Sequence, residues 1–343
     1  MGYTTQHFCI RRSPYGGLAV LGMLLAASTA DARSAAASSA PTATAASPAA
    51  AIQIHVECGN SSAKLRTIAD GLKLLGSLHP AVLLVSGTCH EDVVIQGLDS
   101  ITLQGNPVAT IDGGSDPNLA AVQIFGSQNI ALNNLTITGG AGLVCNGLSY
   151  CDMTQATVQN SLGDGASVNG GSHLGFFDCV IQNNTNAGLN VGVGSANVLG
   201  GRITGNGSDG VLMRLGGTFT AFSADANDNV RIQNNAGNGI RASLHNVVNL
   251  NSAVITGNAV DGVTLQLGSA LNLIATSITN NGGHQVRIGD LSVVRFSGFQ
   301  SNTISGSNFP DVVCDPQFST TRQLAANAVS ATTNCPAELP PTP

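Results

Sequence analysis

GIRASLHNVVNLNSAVITGNAVD, residues 239–261, runs directly into GVTLQLGSALNLIATSITNNGGH, residues 262–284, and then into QVRIG from residue 285. Laid under one another, the segments repeat with a period of 23 and share three short alternating stretches. The first follows the leading residue (IRA, VTL, VRI). The second sits mid-period (VNL at 248–250, LNL at 271–273, VRF at 294–296). The third ends on the Ile of VIT and SIT (254–256 and 277–279). Stretches of three to five residues with period-2 alternation are strands, too short for helices. One period cannot bury its own apolar face, so successive periods must stack. Three strands per period, each paired with its copy ~4.8 Å away, form a parallel β-helix whose lumen is filled by columns of Val, Ile, Leu and Phe.

Upstream, the same opening glycine recurs at Gly142, Gly165, Gly188 and Gly210, so the steps to Gly262 are 23, 23, 22, 29 and 23. Asn184, Asn206, Asn235, Asn258 and Asn281 each stand three residues beyond the Ile of the third strand. Asn tolerates left-handed backbone and bonds to neighbouring main chain, so this column predicts a structural ladder at one corner. Nearer the N-terminus, residues 81–85, 93–95, 101–103 and 130–132 are expected to enter the same ladder. Before them, Ser61-Ser62 can cap a helix running through Leu75, with Leu65, Ile68, Ala69, Leu72 and Leu75 on one face. Such a helix would cover the open end of the first coil.

The composition agrees. Only 9% of the 343 residues are charged, against 42 Gly and no Trp. Long helices need charged, helix-favouring surfaces, so an all-α fold is excluded. A formal charge of −6 supplies no basic surface for nucleic acid, and none is expected as a partner. Residues 1–32 read as a signal peptide: Arg11 and Arg12, an apolar run at 18–27, and the Ala-Asp-Ala of residues 30–32. That run is too short to span a bilayer, so no membrane span is expected. Residues 33–51 have an Ala/Ser/Pro/Thr linker composition, residues 52–336 form the β-helix domain, and 337–343 are a tail. The expected product is a monomer exported to the periplasm or beyond the cell.

The coils ending in ITGG, IQNN and ITNN, with VSGTCHEDVVIQ (85–96) and DSITLQGN (99–106), resemble the pectate-lyase-like right-handed parallel β-helix superfamily. More narrowly, the chain resembles its bacterial exported β-helix repeat proteins. The implied fold is all-β: a right-handed single-stranded parallel β-helix of about 23 residues and three strands per coil, with a short N-terminal capping helix. The superfamily includes lyases, hydrolases, epimerases and adhesins, so the resemblance carries architecture rather than one activity.

Cysteine placement suits an oxidising compartment. Cys58 and Cys89 flank the predicted helix, Cys314 and Cys335 bracket the last segment, and each pair is expected to form a disulfide. Cys145 and Cys151 can bond, leaving Cys179 as a buried small hydrophobe.

One residue upstream of the glycine column stand Asp164, Ala187, Asp209, Asn238, Asp261 and His284, and nearby outward positions hold Arg214, Arg241 and Arg287. Asp209 and Asp261, two coils apart, would lie ~9.6 Å from each other by strand spacing, near the upper limit of the ~6.5–9.5 Å gap of inverting glycosidases. In that reading Asp209 and Asp261 are acid and base, His284 assists, and the three arginines hold carboxylates of an acidic glycan. The other reading is turn chemistry, with Asp before Gly at a corner and Arg241 and Arg287 pairing with those carboxylates as ladders. The superfamily's polygalacturonase-like members carry an Asp pair, a Gly-His-Gly and an Arg-Ile-Lys; here Gly283-His284-Gln285 and Arg287-Ile288-Gly289 echo them without the Asp pair. Its calcium-dependent lyases imply Ca²⁺ only if this chain is a lyase. Asp225 and Asp228 in the 29-residue coil, and Asp112 with Asp116, are further candidates to hold a cation. Otherwise no cofactor is called for. Two functions follow: a non-catalytic surface, adhesin-like or carbohydrate-contacting module, or a polysaccharide lyase or glycoside hydrolase acting on acidic glycans.

Overall fold

The computed structural model of the chain describes residues 51–223, 229–289, 291–296, 302–315, 328–329, 332–333 and 335. The predicted signal peptide, nearly all of the linker, the tail, Asp225 and Asp228 lie outside them. Strand follows strand around a single lumen. Each central coil gives one strand to a 10-stranded sheet B and two to a 19-stranded sheet A, all parallel. The coil opening at Leu189, for example, places Leu189–Val191 in sheet B, then Gly194–Leu199 and Arg202–Thr204 in sheet A. Its two A strands are separated by a two-residue bend, and in other coils the first bend residue sits at positive φ, as at Asp178 (53°) and Ser252 (56°).

The register is the one the glycine column predicts. Leu143, Ala166, Leu189, Val211, Ile240, Val263, Val286 and Val312 are successive partners in sheet B, each one residue past the column. Val158, Ile181, Ile203, Ile232, Ile255, Ile278 and Ile304 form the matching buried column in sheet A.

Physical contact explains why the column is glycine. A Cβ at Gly188 would stand 2.5 Å from Ile203 Cγ2 and 2.6 Å from Asn206 Nδ2, and Gly165, Gly210, Gly239 and Gly262 meet the same crowding. The asparagines occupy that space. Asn184, Asn206, Asn235 and Asn258 each donate from Nδ2 to the Oδ1 of the next Asn at 2.9 Å. Each such Oδ1 also accepts the preceding Asn's backbone N–H, so these buried amides are bonded on both sides. The ladder ends where the next coil has Ser307 in place of Asn. There the glycine column switches to Gln285, whose Oε1 accepts from Asn281 Nδ2 at 2.7 Å. A second buried column, of Ser127, Ser149, Ser172, Asn246, Ser269 and Ser292, serves the corner between sheets B and A, where backbone N–H groups donate to side-chain oxygens of the next coil.

At the N-terminal end, β1 (Ile52–Glu57) pairs with β2 (Ala81–His90), and β2 pairs with β4 (Ile101–Asp112). β3 (Val93–Gln96) opens sheet B. The helix α1 spans Ile68–Leu75 and packs against β1, β2 and β3, so it covers the first coil as expected. Two details differ. Thr67 is the N-cap rather than Ser61-Ser62, and its Oγ1 accepts from Asp70 N at 3.1 Å. Glu91, from the loop after β2, takes the N–H groups of Ile68 (2.6 Å) and Ala69 (3.0 Å), so a carboxylate sits on the positive helix end. Starting at residue 68, two turns bury Ile68, Gly71, Leu72 and Leu75, which turns Ala69 to solvent.

Disulfides join Cys58 to Cys89, Cys145 to Cys151 and Cys314 to Cys335. Cys179 is free and buried, and burial pushes its thiol up to about 11.

Candidate functional site

The aspartates before the glycine column hold the coils together. Asp261 is 2% exposed. Its Oδ1 accepts the backbone N–H of His284 at 2.7 Å, and its Oδ2 accepts Thr264 Oγ1 at 3.0 Å and Arg287 Nε at 2.7 Å. Asp209, equally buried, accepts from Asn238 N and Nδ2, both at 2.8 Å. Arg241 Nε stands 2.8 Å from Asp209 Oδ2, but its N–H is not aimed along that line, so the contact is an ion pair rather than a hydrogen bond. Asp164 repeats the device without a cation: it takes Ala187 N at 3.0 Å and Asn190 Nδ2 at 2.7 Å, with Asn190 at the position of the arginines. Asp311, one position further on and level with Gln285, instead takes both the backbone N–H and the hydroxyl of Thr332, each at 3.0 Å. Asp164, Asp209 and Asp261 each cap the turn of the next coil and hold the residue three positions on from the capped N–H.

The arginines are thereby presented rather than merely exposed. Arg241 and Arg287 share one outward column of sheet B, with Thr264 between them and Leu212 and Asn190 before. Their side chains are 41% and 45% exposed, each anchored at Nε. Arg214 belongs to another column, paired with Ser243, so the structure does not bring it into line with the other two. His284 lies one coil beyond Asp261. Its Nδ1 is 2.7 Å from the Pro310 carbonyl and its ring tilts against Phe309, so its side chain is turned away from Asp261. Among the described residues, the one grouping of three or more candidate metal ligands is Cys58, Cys89 and Glu91. Both sulfurs there are spent in a disulfide and the carboxylate caps α1. Asp112 instead pairs with His90 at 2.9 Å, and Asp116 bonds Asn118.

A second cluster, which the periodic reading passed over, lies on the outward face of sheet A. Tyr150 and Asp152 alternate outward on Tyr150–Thr154, and the next strand, Ser172–Phe177, places His173 beside Tyr150 and Gly175 beside Asp152. The Tyr150 and His173 rings stack at 4.6 Å and 22°. His173 Nδ1 lies 2.8 Å from Ser195 Oγ in the following coil. Asp152 leans over Gly175, where a Cβ would come within 2.3 Å of its Oδ1, and that oxygen is buried with no hydrogen-bond partner. Burial raises the Asp152 carboxyl to about 6 and lowers His173 below its usual range. Tyr150 is raised, first by burial and then by the charge of Asp152. The signal available in the sequence was a lone Tyr exactly one period before a His, with an Asp two residues on.

No protein-family model matches the chain, and no curated protein matches it. Solved structures do. Pectate lyase Pel9A aligns over 83% of this chain and 80% of its own, with a TM-score of 0.56 and 13% identity. The A-module of the Azotobacter vinelandii mannuronan C-5 epimerase AlgE4 aligns over 71% and 74%, with a TM-score of 0.51 and 15% identity. A double mutant of the periplasmic alginate epimerase AlgG aligns over 74% and 70%, with a TM-score of 0.51 and 12% identity. The fold is the pectate-lyase-like right-handed β-helix. At these identities the likeness establishes the architecture alone. On this β-helix the Asp and Arg columns occupy the turn into sheet B and its outer face, while the Tyr150 cluster occupies sheet A.

Proposed function

We propose that the protein is an exported, monomeric β-helix that contacts acidic polysaccharide through the outer face of sheet B without cleaving it. The observation that carries this is the matched pair Arg241 and Arg287, two coils apart and each gripped at Nε by a buried aspartate. A half-exposed guanidinium fixed from behind has lost its side-chain freedom before any ligand arrives, so less entropy is lost when it meets a carboxylate. In this reading Asp209 and Asp261 are positioning residues. Asp261 accepts from the protein through both oxygens, and Asp209 takes Asn238 through Oδ1 while Oδ2 faces Arg241, so each carboxylate is committed to its own coils rather than to a substrate proton. Three disulfides favour an oxidising compartment. The names of the similar structures refer to mannuronan, alginate and pectate, which fits a glycan as the ligand.

The test is titration of alginate and polygalacturonate into the protein, wild type against the double variant Arg241→Gln/Arg287→Gln. The expected result is salt-sensitive binding, weakened roughly tenfold or more in the variant as charge-assisted bonds are lost. Equal binding by the variant would remove the arginines from the site. New reducing ends without unsaturated products would make the protein a hydrolase and return Asp209, Asp261 and His284 to catalysis. Unsaturated products, with calcium dependence, would make it a lyase.

A further inference from the structure

We infer that the outward face of sheet A carries a separate binding site, built from Tyr150, Asp152, His173 and Ser195, for the hydroxyl groups of a neutral sugar. It borrows from the polysaccharide reading only the class of ligand; it shares no residue with the arginine column.

The face around it is plain. Beyond Ser195, the Tyr150 column continues as Thr218, Val247, Ala270 and Val293, and the Asp152 column as Asn197, Thr220, Asn249, Asn272 and Arg295, with no further aromatic ring or carboxylate. Against that background Tyr150 is the only tyrosine after residue 15, and it is 42% exposed. His173 is stacked against it and held from the far side at Nδ1, which fixes the ring and leaves Nε2 uncommitted. Beside them Asp152 Oδ1 is a buried acceptor without a donor. Gly175 leaves the space that Asp152 occupies, and any side chain there would displace it.

An unpaired buried acceptor costs stability and calls for a donor. The donor class follows from the neighbours. Tyr150 hydroxyl, imidazole Nε2 and carboxylate Oδ1 offer one mixed group, one nitrogen and one acceptor on an aromatic edge, the set that a pair of sugar hydroxyls satisfies. A metal ion would need several converging oxygens, and among the described residues the one grouping of three candidate ligands lies elsewhere, at Cys58, Cys89 and Glu91. A uronate would set its own charge against that of Asp152, so the ligand is neutral.

The experiment follows the Tyr150 and His173 ring resonances by NMR while cello-, malto-, manno- and xylo-oligosaccharides are added to millimolar concentration. At least one series should shift both rings in a saturable way. Asp152→Asn, which keeps the shape and removes the desolvated charge, should fold and lose that binding about tenfold or more; Tyr150→Ala, an exposed position, should do likewise. Arg241→Gln/Arg287→Gln should leave it intact, so this site and the sheet B site fail independently. Silence from all four series, or undiminished binding in both Asp152→Asn and Tyr150→Ala, overturns the proposal.

Discussion

Asp152 shows what a single residue can disclose. Its carboxyl, ordinarily near 3.8, is lifted to about 6 because burial disfavours the anion. Between those values the unfolded chain releases a proton that the folded chain keeps. Stability attributable to this group is therefore highest below pH 3.8, falls as pH rises toward 6, and stays low above it. Because the group is half-buried and partly screened by solvent, the loss is on the order of 1–2 kcal/mol. Urea midpoints at pH 4 and pH 7 should therefore diverge between the wild type and Asp152→Asn, with the variant the more stable at pH 7. Parallel behaviour of the two proteins across that range would mean the carboxyl is solvated after all. The residue escaped the sequence reading for a physical reason. A period reveals what recurs from coil to coil, and a cluster that occurs once has no second copy to align. Glu91 was hidden similarly, since nothing local ties a loop carboxylate to a helix start 23 residues earlier.

At the scale of the elements, the repeat was legible because three columns constrain one another. The asparagines need the room beside the glycines, and the isoleucines fill the lumen behind both. That is why glycine spacing alone gave the strand register across the central coils, including the coil that takes 29 residues. The serine corner was less legible, since Ser is common in such a chain and only its inter-coil bonds distinguish it. The Asp column was read at the right positions. Two meanings were open for it because the sequence does not say whether a carboxylate before Gly faces solvent or the next coil. The ladder has a direction, each amide donating to the next carbonyl oxygen. Asn235→Ala strips the acceptor from both Asn206 N and Asn206 Nδ2, which are buried. The expected cost is about 3 kcal/mol or more, read as a lowered urea midpoint with unchanged slope. A loss under about 1 kcal/mol would show that the corner can repack around the gap.

At the scale of the whole molecule, each coil touches chiefly its neighbours, so stability is close to a sum of coil and interface contributions and the ends are the weak points. The closures are placed accordingly. Cys58–Cys89 closes a separation of 31 residues and Cys314–Cys335 one of 21, against only 6 for Cys145–Cys151. By chain entropy the two end bridges contribute about 3–4 kcal/mol each and the middle one about 2. Replacing Cys58 and Cys89 together by Ser should therefore loosen β1, α1 and β2 without melting the centre. Hydrogen exchange should quicken through residues 52–112 while the strands between 240 and 288 keep their protection. If exchange instead quickened equally in every coil, the molecule would be opening as one cooperative unit. The arginine column could then not be studied apart from the N-terminal cap. Preserved protection at the centre would mean that ligand sites on sheet A and sheet B rest on coils whose stability is set locally, and that their variants report on binding rather than on the folding of a distant end.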